Sequence, residues 1–167
     1  GMMGAGIALV SAMAGIKVIL IDQQQQAADR GKAHSANYMD KGIKRGKATA
    51  EKKTAVLELI TATTDYAALK DADLIIEAVF EDPTIKASVT KAVEEVIPAD
   101  CIFASNTSTL PISDLAKASG RPDQFIGIHF FSPVERMALV EIIKGKQTGD
   151  RAVAKALDYV RQIRKTP

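Results

Sequence analysis

Residues 125–144 read FIGIHFFSPVERMALVEIIK. Two short apolar runs within them, Phe125–Phe130 and Leu139–Ile143, carry the β-branched and aromatic residues that suit strands. The eight residues between them hold Ser132, Pro133 and Glu135. That connection is too short for a crossover helix, so the two strands are expected to pair antiparallel. His129 lies at the end of the first strand, and Glu141 lies within the second, twelve residues on. If the loop folds near its midpoint, the two side chains fall opposite each other, with Cβ atoms about 4.5–5.5 Å apart. A carboxylate placed there can accept the imidazole N–H and fix the tautomer, leaving the other ring nitrogen to take a proton. A strand-end histidine beside a surface glutamate, with no chemistry, would satisfy the same spacing.

The chain upstream of this hairpin alternates between helices and strands. Gly1–Ala14, GMMGAGIALVSAMA, opens on small residues and continues with Ile7, Val10 and Met13 at helical spacing. Lys17–Asp22, KVILID, is an apolar strand ending in an acid. Glycine-rich turn, helix, then strand with a terminal Asp forms the second part of a dinucleotide-binding unit. In that reading the Gly1-Met2-Met3-Gly4 turn lets backbone amides approach a pyrophosphate, and Asp22 binds the ribose hydroxyls. A small-residue helix start explains GMMGAG nearly as well. No Arg lies directly beside Asp22 to receive a 2′-phosphate, which favours NAD over NADP. Only the second half of G-x-G-x-x-G is present, so the first glycine and the first strand are expected to precede residue 1. The chain therefore reads as one NAD-binding domain over residues 1–167, cut from a longer protein.

Gln23–Thr54 is polar and helical in character, with a basic cluster of Lys41, Lys44, Arg45, Lys47, Lys52 and Lys53. It reads as a solvated helical hairpin or as a patch for a phosphorylated ligand. His34 lies in it with no partner in view and is expected to face solvent. Ile60–Thr63 is a short strand and Tyr66–Lys70 a helical turn, while Ala72–Val79 is a buried strand. Thr84–Val96 follows as a helix with Ile85, Val89, Val93 and Val96 on one face. Glu81 reads as a cap of that helix or as a functional acid. Strand Cys101–Ser105 leads into Asn106, Thr107 and Ser108, then a helix near Ile112–Ser119. Asn106 and Ser108 sit where open α/β sheets bind ligands, and one of them is expected to cap the helix. Gly120–Asp123 is a turn, and helix Asp150–Ile163 presents Val153, Leu157 and Val160 to the core, with Lys165-Thr166-Pro167 continuing it. The alternation predicts an α/β, Rossmann-like doubly wound, mostly parallel sheet closed by the antiparallel hairpin.

Composition narrows the function. A net charge of +2, no Trp and 5% aromatic residues give neither a polyanion-binding surface nor a stacking platform, so a nucleic-acid partner is not expected. The single cysteine, Cys101, lies in an apolar strand and is expected to be buried and inert. There is no metal-type Cys/His spacing, and no apolar run reaches the length of a membrane span. A cytoplasmic or organelle-matrix location is expected.

Taken in order, GMMGAGIA, IIEAVFED, SNTSTLPISDLA, HFFSPVERM and LVEIIKG resemble the NAD-binding domain of L-3-hydroxyacyl-CoA dehydrogenases, from end to end of the chain. The version inside the multifunctional fatty-acid oxidation proteins, the complex alpha subunit, is the most similar. The resemblance implies oxidation of L-3-hydroxyacyl-CoA to 3-oxoacyl-CoA with NAD in fatty-acid β-oxidation. It assigns His129 as catalytic base, Glu141 as its partner and Ser108 as the contact to the substrate oxygen. It assigns Gly1, Met2, Met3, Gly4, Asp22, Glu81, Lys86 and Asn106 to the cofactor side or the pocket. The basic cluster, with Lys41, Lys44 and Arg45, falls where the family receives the CoA nucleotide. The implied partners are a C-terminal helical domain and an enoyl-CoA hydratase part, both outside this chain, so residues 1–167 alone are expected to turn over little. Ser132 stands where the family has Asn. A non-catalytic NAD(H)-binding relative is the alternative, and a methyltransferase of the same broad fold is a third reading disfavoured by the hairpin pair.

Overall fold

The computed structural model describes residues 1–167, which form two compact units. The first comprises Gly1–Asp65 with Ser132–Arg136, and the second Tyr66–Phe131 with Met137–Pro167.

In the first unit, helix α1 (Met2–Met13) precedes strand β1 (Val18–Ile21). Gly15 ends α1 with φ +83°, a left-handed conformation that glycine adopts without steric cost. Helices α2 (Gln25–Lys44) and α3 (Ala50–Glu58) follow as the expected polar hairpin, with Thr49 Oγ1 accepting from Lys52 N to cap α3. Strand β2 (Ile60–Thr63) returns parallel to β1, with Val18 opposite Ile60 and Ile21 opposite Thr63. Ala12, Met39, Val56 and Ile60 form the buried centre, so each of the three helices places one side chain against the sheet. His34 differs from expectation. It is half-buried, and its Nε2 lies 4.0 Å from Glu135 Oε1 in the 132–136 segment, a partner about a hundred residues away in sequence.

In the second unit, β3 (Leu74–Glu77), β4 (Ile102–Ser105) and β5 (Phe125–Phe130) run parallel, and β6 (Val140–Ile143) closes the sheet antiparallel to β5. Helix α4 (Pro83–Glu94) links β3 to β4, and a short helix α5 (Ile112–Leu115) with a 3₁₀ turn lies between β4 and β5. β4 is buried throughout and β5 at every position except His129, as expected of central strands in a parallel sheet. Phe103 and Phe125 stack with ring centroids 5.3 Å apart. Gly127 allows Ile112 and Ile143 to close over β5, since a Cβ there would lie 2.7 Å from Ile112 Cδ1 and 2.9 Å from Ile143 Cβ. The parallel βαβ windings and the final antiparallel pair make this a Rossmann-like α/β fold.

Helix α4 buries a different face from the one its apolar residues predict. Ile85 is exposed, while Lys86, Thr90 and Val93 point inward. The inward lysine has a buried counter-ion, described below, and apolar periodicity does not detect such a pair. Helix α6 (Asp150–Gln162) packs through Ala152, Ala156, Tyr159 and Val160, with Val153 and Leu157 only part-buried. Its two alanines let the backbone approach the sheet, and Tyr159 meets Phe130 edge-on at 6.5 Å. The terminal residues do not extend α6. Arg164 turns at φ +61°, and Thr166 pairs parallel with Leu139, exchanging backbone hydrogen bonds with Ala138 O and Val140 N along the edge of β6.

Candidate active site and cofactor-binding residues

The register of β5 and β6 sets His129 directly opposite Glu141. Nδ1 lies 3.3 Å from Glu141 Oε2, with the histidine side chain 16% and the glutamate 50% exposed. Phe131 packs against the imidazole at 4.7 Å. The backbone next to His129 is anchored as well, because Phe130 N donates to Asn106 Oδ1 at 2.8 Å. Asn106 therefore ties the end of β5 to the loop after β4. It does not cap α5, whose N-cap is Pro111, without any side-chain cap bond. Ser108 does not cap it either.

The loop carrying Ser108 is organised by Glu81. One carboxylate oxygen, Oε1, accepts from Thr107 Oγ1, from Ser108 N at 3.1 Å and from Thr109 N at 3.3 Å. Thr107 Oγ1 in turn accepts from Leu110 N. Burial alone would raise the Glu81 pKa, but the Thr107 hydrogen bond, the two amides and the Lys86 charge outweigh it and leave it lowered. Glu81 is not the helix cap, since Asp82 fills that place by accepting from Thr84 N and Ile85 N ahead of Pro83 at N1. The Ser108 side chain is exposed, and its hydroxyl has no hydrogen-bond partner within the chain. Behind the loop, Lys86 Nζ reaches Glu77 Oε1 at 2.7 Å and Glu81 Oε2 at 3.5 Å. Sequence reasoning missed Glu77 and Ser105 altogether. The available signal was an acid at the end of the apolar run LIIE, with a lysine nine residues on.

In the first unit, α1 begins at Gly1 without a side-chain cap, and the first amide to find a helical carbonyl is that of Ala5. The amides of Met2, Met3 and Gly4 are thus free of helical partners, and a Cβ on Gly1 or Gly4 would meet nothing within 4 Å. Asp22, one residue past β1, accepts from Gln23 N at 2.8 Å. Bare amides at an uncapped helix start, side-chain-free glycines and a neighbouring carboxylate suit a dinucleotide's pyrophosphate and ribose. Burial would raise the Asp22 pKa, while the Gln23 amide and, least, the Arg30 charge lower it. Arg30 lies eight residues along the chain, which is why no arginine seemed to stand near Asp22. Lys41, Lys44 and Arg45 end α2 with exposed side chains, where cations also suit the negative end of the helix dipole. Lys53 from the same cluster is paired with Asp40 at 2.7 Å.

This combination defines the class: an α/β nucleotide-binding domain with a histidine–carboxylate pair at a strand end. The chain belongs to the family described as 3-hydroxyacyl-CoA dehydrogenase, NAD binding domain, whose model matches residues 1–167. It is therefore an NAD-binding domain. Among curated proteins it is 44% identical over 167 residues to a fatty acid oxidation complex subunit alpha from Idiomarina loihiensis, covering all of this chain and 23% of that one. Among solved structures it matches (S)-3-hydroxybutyryl-CoA dehydrogenase from Ralstonia eutropha with a TM-score of 0.97 and 40% identity, over 100% of this chain and 59% of the other. It also matches 3-hydroxybutyryl-CoA dehydrogenase from Escherichia coli K12 with a TM-score of 0.96 and 34% identity, over 100% of this chain and 35% of that one. The chain thus spans less than two thirds of each of these relatives.

Proposed function

We propose that this chain is the part of a longer enzyme that oxidises L-3-hydroxyacyl-CoA to 3-oxoacyl-CoA, in fatty-acid β-oxidation in the cytoplasm or an organelle matrix. The observation that carries the proposal is the pairing of His129 with Glu141 across adjacent strands, 3.3 Å apart. With Nδ1 engaged by Glu141, Nε2 is the nitrogen that accepts the 3-hydroxyl proton. Glu141 then stabilises the imidazolium, and the Ser108 hydroxyl donates to the substrate oxygen as its charge changes. NAD⁺, when bound, would supply the acceptor for the hydride that leaves C3. Gly1, Met2, Met3 and Gly4 would hold the cofactor's pyrophosphate through backbone amides, and Asp22 would hold its ribose. Glu81, Lys86 and Asn106 shape the cofactor side of the pocket, while Lys41, Lys44 and Arg45 receive the CoA phosphates. The partners in this reading are an acyl-CoA substrate, a C-terminal helical dehydrogenase domain and an enoyl-CoA hydratase part. No helix of the chain is long and apolar enough to cross a membrane.

The test is His129→Gln in the full-length protein, assayed with 3-hydroxybutyryl-CoA and NAD⁺. Loss of general-base catalysis lowers turnover by about 10²–10⁴-fold, while NADH affinity, read by its fluorescence, stays near wild type. Turnover within threefold of wild type removes His129 from the reaction. Tight NADH binding by a wild-type protein that oxidises no 3-hydroxyacyl-CoA favours a non-catalytic binder.

A further inference from the structure

The second unit buries a full ion pair that the proton transfer itself does not require. Lys86 on α4 and Glu77 at the end of β3 each have 1% of their side chain exposed, and they meet at 2.7 Å. Apolar residues of similar volume stabilise a core as well as such a pair or better, so stability alone is weak grounds for its presence. Its connections point to a different role. Glu77 Oε1 also accepts from Val79 N at 2.8 Å, and Oε2 accepts from Ser105 Oγ at 2.7 Å. The Glu77 carboxylate is thereby fixed to the ends of both β3 and β4. On its other side the Lys86 ammonium faces Glu81 Oε2 at 3.5 Å, and Glu81 Oε1 gathers the Thr107 hydroxyl and the amides of Ser108 and Thr109.

From this chain of contacts we infer that Glu77 is a positioning residue for Ser108, acting through Lys86 and Glu81. The inference rests on the dehydrogenase reading, in which Ser108 meets the substrate oxygen. While Glu77 is charged, it holds the ammonium at 2.7 Å, and Glu81 stays at the longer 3.5 Å with its second oxygen committed to the serine loop. Without that charge, Glu81 is the only counter-ion left to Lys86. Its carboxylate moves onto Nζ, the amides of Ser108 and Thr109 lose their acceptor, and the Ser108 hydroxyl leaves its productive position.

The test compares Glu77→Gln, close to Glu in size but uncharged, in the wild-type and Ser108→Ala backgrounds of the full-length protein. The expected result is a fall in kcat of about tenfold in the wild-type background, the scale of a modest misplacement of a catalytic group. In the Ser108→Ala background no further fall is expected, and Glu77→Asp recovers part of the loss. Equal falls in both backgrounds overturn the inference, because a merely structural defect does not depend on Ser108. A kcat within twofold of wild type also overturns it. Ser105→Ala, which removes one anchor of Glu77, is expected to give a smaller effect with the same dependence on Ser108, and it carries the test if Glu77→Gln does not fold. Amide hydrogen exchange separates this inference from the reading beneath it. If the wild-type protein oxidises no 3-hydroxyacyl-CoA, the dehydrogenase reading fails. Faster exchange at Ser108 and Thr109 in Glu77→Gln then still supports the positioning chain, and unchanged exchange refutes it.

Discussion

Replacing Glu141 with Gln removes a charge and little else. The amide oxygen can still accept the Nδ1–H of His129, so the tautomer is kept and the loss falls on the imidazolium. Two unit charges at the observed 3.3 Å attract by about 1.3 kcal/mol at the permittivity of water and by about 5 kcal/mol at an effective value near 20. Glu141 is half-exposed, whereas the imidazole is mostly covered, which places the pair toward the lower end, at roughly 1.5–3 kcal/mol. In the proposed reaction the ion pair exists only after His129 has taken the proton, so the loss is expected in kcat of the oxidative direction, as a fall of roughly 10- to 150-fold. The assay is steady-state NADH formation from 3-hydroxybutyryl-CoA, with NADH affinity measured separately and expected to be unchanged. If kcat stays within threefold of wild type while His129→Gln is inactive, Glu141 is a bystander and the electrostatic argument fails.

Three further outcomes follow from the same geometry. Gly127→Ala puts a Cβ 2.9 Å from Ile143 Cβ, close to the backbone of β6 and not at a flexible tip. Overpacking of this kind costs about 1–3 kcal/mol, so thermal melting is expected to fall by roughly 2–10 °C, and an unchanged melting temperature would show that the hairpin yields freely. Cys101 is 2% exposed, and burial pushes its thiol up to about 11. It is expected to resist a thiol reagent in the native protein at pH 8 and to react at once in denaturant; native labelling at a comparable rate would contradict its burial. Because the folded pKa of Glu81 is depressed, its contribution is complete above the ordinary glutamate value of 4.5 and disappears as pH falls through the lower folded value. Hydrogen exchange at Ser108 and Thr109, corrected for the intrinsic pH dependence, is therefore expected to lose protection in that acid range and to hold steady above pH 6.

The hairpin was legible in the sequence because a short loop leaves two strands little choice of partner, and register then follows from counting residues. Strand β5 was legible for a similar reason, since an unbroken apolar run has to be covered on both faces. The first helix and the strand after it were legible from local spacing. What escaped local pattern depends on distant partners. Lys86 would have been placed on the surface by any count of apolar residues, and only Glu77 on the neighbouring strand makes its burial tolerable. Asn106 resembled a helix cap, but its acceptor is used by Phe130, twenty-four residues away. Helix α6 misled differently, because its small residues pack closest and the larger Val153 and Leu157 remain at the margin. His34 meets Glu135 within the first unit, a pairing across about a hundred residues that local pattern does not show.

The division of labour within residues 106–109 has an evolutionary consequence. Asn106, Thr107 and Thr109 spend their side chains on holding backbone or carboxylate, while the hydroxyl of Ser108 is committed to nothing inside the protein. Its neighbours are therefore fixed by the architecture, whereas position 108 can be exchanged without dismantling the scaffold. In the proposed reaction, a library confined to that codon would therefore vary turnover among proteins that still fold.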